Sequence, residues 1–167
     1  MFRGKFMYSG EDISSVIEIR KSVRELRSVG LDENDQMAIY ALAFDEDDVP
    51  CGCGRLFIGK DSRFHIDTVG VLSSHRHMHI GDLIARMLLY KAESLNAGSV
   101  RMFVPIPSIP FFTRYGFRAI GDKINVNGED GYLLHVDGDK IQLEGTCSCS
   151  KGKACSGDCG QCSEKCE

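Results

Sequence analysis

The residues best equipped for chemistry lie in one stretch, VGVLSSHRHMHIGDLIARMLLYKAE, where an apolar run ends, a polar loop turns and an amphipathic helix starts at Ile80 to Asp82. Such a loop aims several unpaired backbone N–H groups at one point, with the positive end of the helix dipole behind them, and an anionic phosphate fits there. Arg76 and the histidines His75, His77 and His79 add positive or titratable groups around that point, and Gly81 lets a ligand approach the main chain closely. The alternation of the three histidines is not diagnostic of a metal, since no carboxylate or thiol partner is evident beside them. A second concentration of chemistry closes the chain: TCSCSKGKACSGDCGQCSEKCE carries Cys147, Cys149, Cys155, Cys159, Cys162 and Cys166. Its C-x-C and C-x-x-C pairs can each bite a soft ion, and four thiolates make a tetrahedral zinc or an iron–sulfur site. Soft-metal binding is therefore the first reading of this tail, with a redox-active thiol tail and an inert extension as the others.

Elements must position these groups, and the hydrophobic period shows where they fall. Phe2, Phe6 and Tyr8 at even spacing predict a strand over residues 1–8, ended by Ser9-Gly10. Ile13, Val16, Ile17, Val23 and Leu26 recur at near-helical spacing, with Glu11 and Asp12 at the start and Gly30 past the end. Three apolar runs follow, at 37–44, 51–58 and 64–72, joined by the acidic DEDDVP turn and by GKDS, and they predict successive antiparallel strands. Over 81–97 the period changes: Ile84, Met87, Leu88, Ala92 and Leu95 form one helical stripe, with Gly98 as its stop. A strand over 100–104, a short helical segment around 111–115, and strands near 117–120 and 132–136 complete the pattern. The expected fold is α/β (α+β), a mixed and mostly antiparallel sheet flanked by helices.

With 167 residues, 43% of them hydrophobic, the chain can bury one core. Apolar residues thin out near residue 144, so one domain over 1–144 and a cysteine-rich tail over 145–167 are expected. The net charge of −4, without any Lys/Arg-rich run, argues against nucleic acid as a partner and favours an amine. No apolar stretch is long enough to cross a bilayer and the N-terminus lacks an export pattern, which predicts a cytoplasmic protein with no membrane partner. Eight cysteines in such a chain are expected as thiols or metal thiolates, and Cys51 and Cys53, inside a predicted strand, as small buried side chains.

The loop Arg76, His77, Met78, His79, Ile80, Gly81 resembles the pyrophosphate loop of the GNAT N-acetyltransferases, in which Arg or Gln is followed by two variable residues, Gly, one variable residue and Gly or Ala. The segment PFFTRYGF, 110–117, resembles that family's aromatic pair, short helix and Gly-Phe ending, and the intervening SVRMFV strand matches as well. The likeness spans residues 1–138 and is closest over 50–121. It implies a GNAT fold and acetyl-CoA as cosubstrate, with its pyrophosphate over Arg76 to Asp82 and its pantetheine arm along the strand at Val69 and Val71.

The resemblance further implies transfer of the acetyl group to a primary amine by direct attack, with Asp67 where many relatives carry a Glu base. An amine of lysine type has a pKa near 10.4 and is mostly protonated at neutral pH, so a base is needed. Asp67 is otherwise a solvated residue, or the cross-strand partner of Arg55 or Arg63. Two departures stand out: Phe112 occupies the place of a Tyr that protonates the departing thiolate, leaving Tyr115 as the nearest phenol, and His79 replaces a Gly. Asp82, in the first helical turn, suits the dipole but sets a negative charge beside the expected phosphate. Phe112 and His79 motivate an alternative function, an acyl-CoA-sensing module with a metal- or redox-responsive tail and little catalysis. The acidic surface at 45–48 is expected to draw the amine, and a homodimer is left open.

Overall fold

The computed structural model describes residues 1–23 and 30–143, so Leu26 of the first predicted helix and all six tail cysteines lie outside the described residues. One seven-stranded sheet runs through the molecule in the order β1-β2-β3-β4-β5-β7-β6. Its strands are β1 (Arg3–Tyr8), β2 (Ile39–Phe44), β3 (Pro50–Ile58), β4 (Phe64–Val71), β5 (Ser99–Pro105), β6 (Arg118–Val126) and β7 (Glu129–Asp137); the helices are α1 (Ser14–Ser22), α2 (Ile80–Ser94) and α3 (Ile109–Thr113). Every neighbouring pair is antiparallel except β4 and β5, which are parallel and joined by α2, the long crossover that a parallel pair requires.

The two faces of the sheet carry different cores. Ile84, Ala85, Leu88, Leu89 and Ala92 of α2 pack against Ala41, Ala43, Leu56, Ile66, Val100, Met102, Val104, Leu134 and Val136. Gly54 permits this contact, because a Cβ there would stand 2.8 Å from both Ile84 and Leu88. On the opposite face, Val16 and Ile19 of α1 pack with Met7, Tyr40, Leu42 and Cys53. Cys51 and Cys53 are both buried, and burial pushes their thiols up to about 11 and about 12.

Several boundaries differ from expectation. Helix α1 ends at Ser22 with Val23 already extended (φ −82°, ψ 117°), although the stripe through Val23 and Leu26 predicted it to run on toward Gly30, and α3 spans Ile109–Thr113 rather than 111–115. Helix α2 stops before Asn96 rather than at Gly98: Asn96 itself takes the left-handed turn, φ 54°, and Ala97 N–H closes on the carbonyl of Ala92. Strands β6 and β7 are each 9 residues long and form a hairpin whose two-residue turn, Asn127 (φ 52°) and Gly128 (φ 85°), has the left-handed pair of angles that suits right-twisted strands.

Candidate active site

Strands β4 and β5 pair at only two rungs, Phe64 with Val100 and His65 with Arg101. Beyond them the strands part. Just past the last rung, β4 carries one more residue than β3 between the pairs Arg55/Asp67 and Cys53/Gly70, and Thr68 takes φ 48° in the bulge. A bulge bends its strand and deepens the twist. From Ile66 onward the β4 backbone has no β5 partner, which leaves an open edge beside half-buried Val69 and Val71. An extended ligand can hydrogen-bond to such an edge as an added strand.

The mouth of this cleft is the N-terminus of α2. The N-cap residue, His79, takes φ 60° and caps no N–H with its side chain. Leu83 N–H makes a helical bond to the carbonyl of His79, so the N–H groups of Ile80, Gly81 and Asp82 lie ahead of it in the first turn. His77 is also left-handed, φ 64°. The backbone thus keeps the angles a glycine would favour, and the exposed imidazoles of His77 and His79 occupy the rim. Buried Ile80 anchors the loop, while Met78 and Arg76 stay exposed and Arg76 Nε reaches the carbonyl of Val71 at 3.4 Å. A Cβ on Gly81 would meet Phe111 at 3.6 Å and Val71 at 4.0 Å, an ordinary contact, so strand end, helix start and α3 converge here.

Asp82 does not face this cradle unpaired. It accepts from Arg86 Nε at 2.8 Å and from the Tyr115 hydroxyl, and Arg114 stands 3.2 Å away. Burial opposes its charge, but Tyr115 and Arg86 outweigh that and hold its carboxyl below the usual range. Tyr115 is 1% exposed, and burial together with the Asp82 carboxylate raises its phenol well above an ordinary tyrosine. Phe112, also buried, stacks edge-on with Phe111 and Phe117. His75 is directed elsewhere, its Nε2 3.1 Å from Asp45 Oδ2. The acidic turn is similarly engaged: Asp45 caps its own turn, Glu46 holds the N-terminal ammonium and Asp48 holds Arg3.

The face of β3 and β4 opposite α2 holds a charged cluster. Arg55, 1% exposed, donates to both oxygens of Asp67 at 2.7 and 2.6 Å, to both oxygens of Asp32 at 2.8 and 3.2 Å, and lies 3.0 Å from Asp35. Asp35 also receives the Tyr40 hydroxyl at 2.5 Å and Arg20 at 3.2 Å. Two residues along β4 on the same face, His65 stacks on Phe57 and pairs with Asp61 at 2.9 Å.

The model of the acetyltransferase (GNAT) family matches residues 11–117, which is most of the chain and includes every element described around the cleft. The chain belongs to the GNAT family. Solved structures agree on the fold: an N-acetyltransferase from Lactobacillus plantarum (17% identity, TM-score 0.70, covering 81% of this chain and 97% of that one) and an acyl-CoA N-acyltransferase from Pseudomonas aeruginosa (15%, 0.72, 81% and 99%). A GNAT acetyltransferase from Elizabethkingia anophelis, solved with acetyl-CoA bound, superposes at 0.64 with 16% identity over 81% of this chain and 97% of that one. No curated protein matches the sequence.

In this GNAT chain the fold brings Val69, Val71, Arg76 to Asp82 and the helix carrying Phe112 to one end of the cleft. Asp67 lies deeper, on the face away from α2, and Tyr115 lies behind Asp82. Cys147, Cys149, Cys155, Cys159, Cys162 and Cys166 are outside the described residues; among the described residues no group of His, Cys, Asp or Glu could hold a metal, and no helix is long and apolar enough to cross a membrane. Sequence reasoning offered Arg55 only as one of two cation partners for Asp67, and it overlooked His65. The signal for Arg55 was an arginine inside the apolar run CGCGRLFI, which folding buries only if carboxylates meet it.

Proposed function

We propose that this GNAT chain binds acetyl-CoA in the cleft between β4 and β5 and transfers the acetyl group to a primary amine. One observation carries the reading: the parallel pair stops after two rungs, at a bulge, directly below an uncapped helix N-terminus. In this reading the diphosphate sits over the N–H groups of Ile80, Gly81 and Asp82, with Arg76, His77, Met78 and His79 around it. The pantetheine arm pairs with the β4 edge at Val69 and Val71, and Phe112 walls its end. The neutralisation of Asp82 by Arg86 and Arg114 supports it, since a phosphate there meets a paired rather than a lone carboxylate.

Chemically, an ammonium first gives up a proton; the freed amine attacks the thioester carbonyl carbon, the C–N bond forms and the C–S bond breaks with its electron pair on sulfur. The amide nitrogen then loses a second proton and the thiolate gains one, for a net release of one proton. We assign Asp67 to holding the ammonium and taking its proton through water. Both Asp67 oxygens already accept from Arg55, which makes His65, on the same face and paired with Asp61, the competing base. The Tyr115 proton is committed to Asp82, so Tyr115 is assigned to holding α3 on α2, and the thiolate, a fair leaving group with an ordinary pKa of about 8.5, takes its proton from water.

Measuring CoA release with an amine panel tests the transfer. Asp67→Asn abolishing the rate while His65→Gln spares its pH profile supports Asp67; the reverse assigns the base to His65. Acetyl-CoA binding by calorimetry without any transfer would favour the sensing alternative. The tail cysteines remain, in this proposal, a soft-metal ligand set on a domain ending near residue 144, and elemental analysis of anaerobically purified protein checks it.

A further inference from the structure

The floor of the cleft, on the face away from α2, is a row of alternating imidazole and guanidinium side chains in register. His65 of β4 pairs with Arg101 of β5, Arg101 with His135 of β7, and His135 with Arg118 of β6. Residues paired in register point to the same face, and the alternate residues Ile66, Val100, Leu134 and Val136 are in the core under α2. The row is therefore presented where an acceptor would enter, beside Asp67.

Two atoms in it are unmatched. Arg101 Nε and His135 Nδ1 are both buried and lack a hydrogen-bond partner. Asp61 faces Arg101 Nη1 only at 3.7 Å, beyond hydrogen-bond length, while its other oxygen is held by His65 and the Arg63 N–H. His135 uses its second nitrogen on Asp137, 3.0 Å away. Arg101 Nε can only donate, and a buried donor left without a partner costs on the order of 1–3 kcal/mol, so it calls for an acceptor from outside the chain; His135, whose Nε2 is already given to Asp137, donates from Nδ1 to that acceptor only in its protonated form.

Charge fixes what that acceptor carries. Around the row stand three fixed cations, Arg101, Arg118 and Lys140, against two carboxylates, Asp61 and Asp137, a surplus of one positive charge with the imidazoles neutral. The neighbouring cluster on β3 and β4 has the opposite sign: Asp32, Asp35 and Asp67 against Arg20 and Arg55 leave one negative charge over. One ammonium and one carboxylate complete both.

We infer that the acceptor is an amine that also bears a carboxylate, an amino acid in the broad sense, its carboxylate held by Arg101, joined by His135 in its protonated form, and its ammonium directed to Asp67. This rests on the proposed acetyl transfer and names its substrate class. It treats Arg101 as a specificity residue, separate from the acetyl-CoA cradle.

The test compares amino acids with their own carboxamides as acceptors. Wild-type protein is expected to favour the acid at least tenfold in kcat/KM. Arg101→Gln is expected to lose that preference by slowing the acid alone, with the KM for acetyl-CoA unchanged, and Arg101→Lys to restore part of it. An amide used as well as its acid, or an Arg101→Gln loss equal for both, overturns the assignment. A readout free of turnover is the imidazole proton resonances of His65 and His135 in protein saturated with CoA. An N-acetyl amino acid is expected to shift them and its amide not to; shifts absent or equal for both overturn it equally. His135→Gln repeats the comparison should Arg101→Gln fail to fold, judged by its thermal melt. Failure of acetyl-CoA to bind by calorimetry would instead remove the transfer reading, and the two failures are thereby told apart.

Discussion

The start of α2 and the charged face beside Asp67 are built in opposite ways. The cradle is made of main-chain N–H groups and tolerates His79 where its relatives are expected to carry glycine, because the angle, φ 60°, is kept whatever the side chain. The face beyond β3 is made of side chains that depend on one another: a single guanidinium, Arg55, holds three carboxylates drawn from a loop and a neighbouring strand. A surface of backbone groups leaves sequence free to vary; one of interdependent side chains ties it down.

Substitutions sharpen that contrast. Arg55→Met is expected to cause the largest loss, about 3–5 kcal/mol in urea unfolding, since it strands buried or half-buried carboxylates without their cation. A loss below 1 kcal/mol would show that the cluster is no more than a surface network. Tyr115→Phe, behind the cradle, is expected to cost about 1.5–3 kcal/mol, the range for a hydrogen bond to a charged group, while the rate of CoA release per folded molecule stays within twofold. A hundredfold drop in that rate would return Tyr115 to the role of acid.

Acid should act on the side-chain region first. Burial pushes Asp35 up, but the Tyr40 hydroxyl, the Asp32 N–H, Arg55 and Arg20 pull it down further, to about 2. A carboxyl lowered by folding stabilises fully above its unfolded pKa of about 4, and that contribution disappears as the pH falls toward 2. Stability measured from pH 5 to pH 2 is expected to decline, and Asp35→Asn to flatten the decline; an unchanged slope would sink the assignment. The smallest effect belongs to the cradle. His79→Gly is expected to stay within about 1 kcal/mol of the parent, relief of the left-handed angle offsetting the added freedom of the unfolded chain, whereas His79→Val loses about 1–3 kcal/mol.

What could be read in advance follows the same divide. The helical stripe of Ile84, Leu88 and Ala92, the polar loop before it and the FFTRYGF segment are local in sequence, and each falls close to where its pattern predicted. Strands β6 and β7 were underestimated because β6 is almost wholly exposed and carries no apolar alternation; the Asn127-Gly128 pair was its one strong signal. The divergence of β4 from β5 was invisible because it comes with Thr68 adopting an angle that no motif announces. The cross-strand pair of Arg55 with Asp67 was among the readings the sequence offered, but the partners at 32 and 35 were opaque, because they come from a separate segment that only the folded chain brings to Arg55.

Two rungs of pairing are a thin seam. The sheet divides into a broad blade, β1 to β4, and a narrower one, β5 to β7, stitched at Phe64/Val100 and His65/Arg101 and spanned by α2. Amide hydrogens along the parted edges are expected to exchange faster than those inside either blade, and a molecule lodged between the blades to slow exchange on both at once. Such a result would make occupancy of the crevice a source of stiffness for the whole sheet.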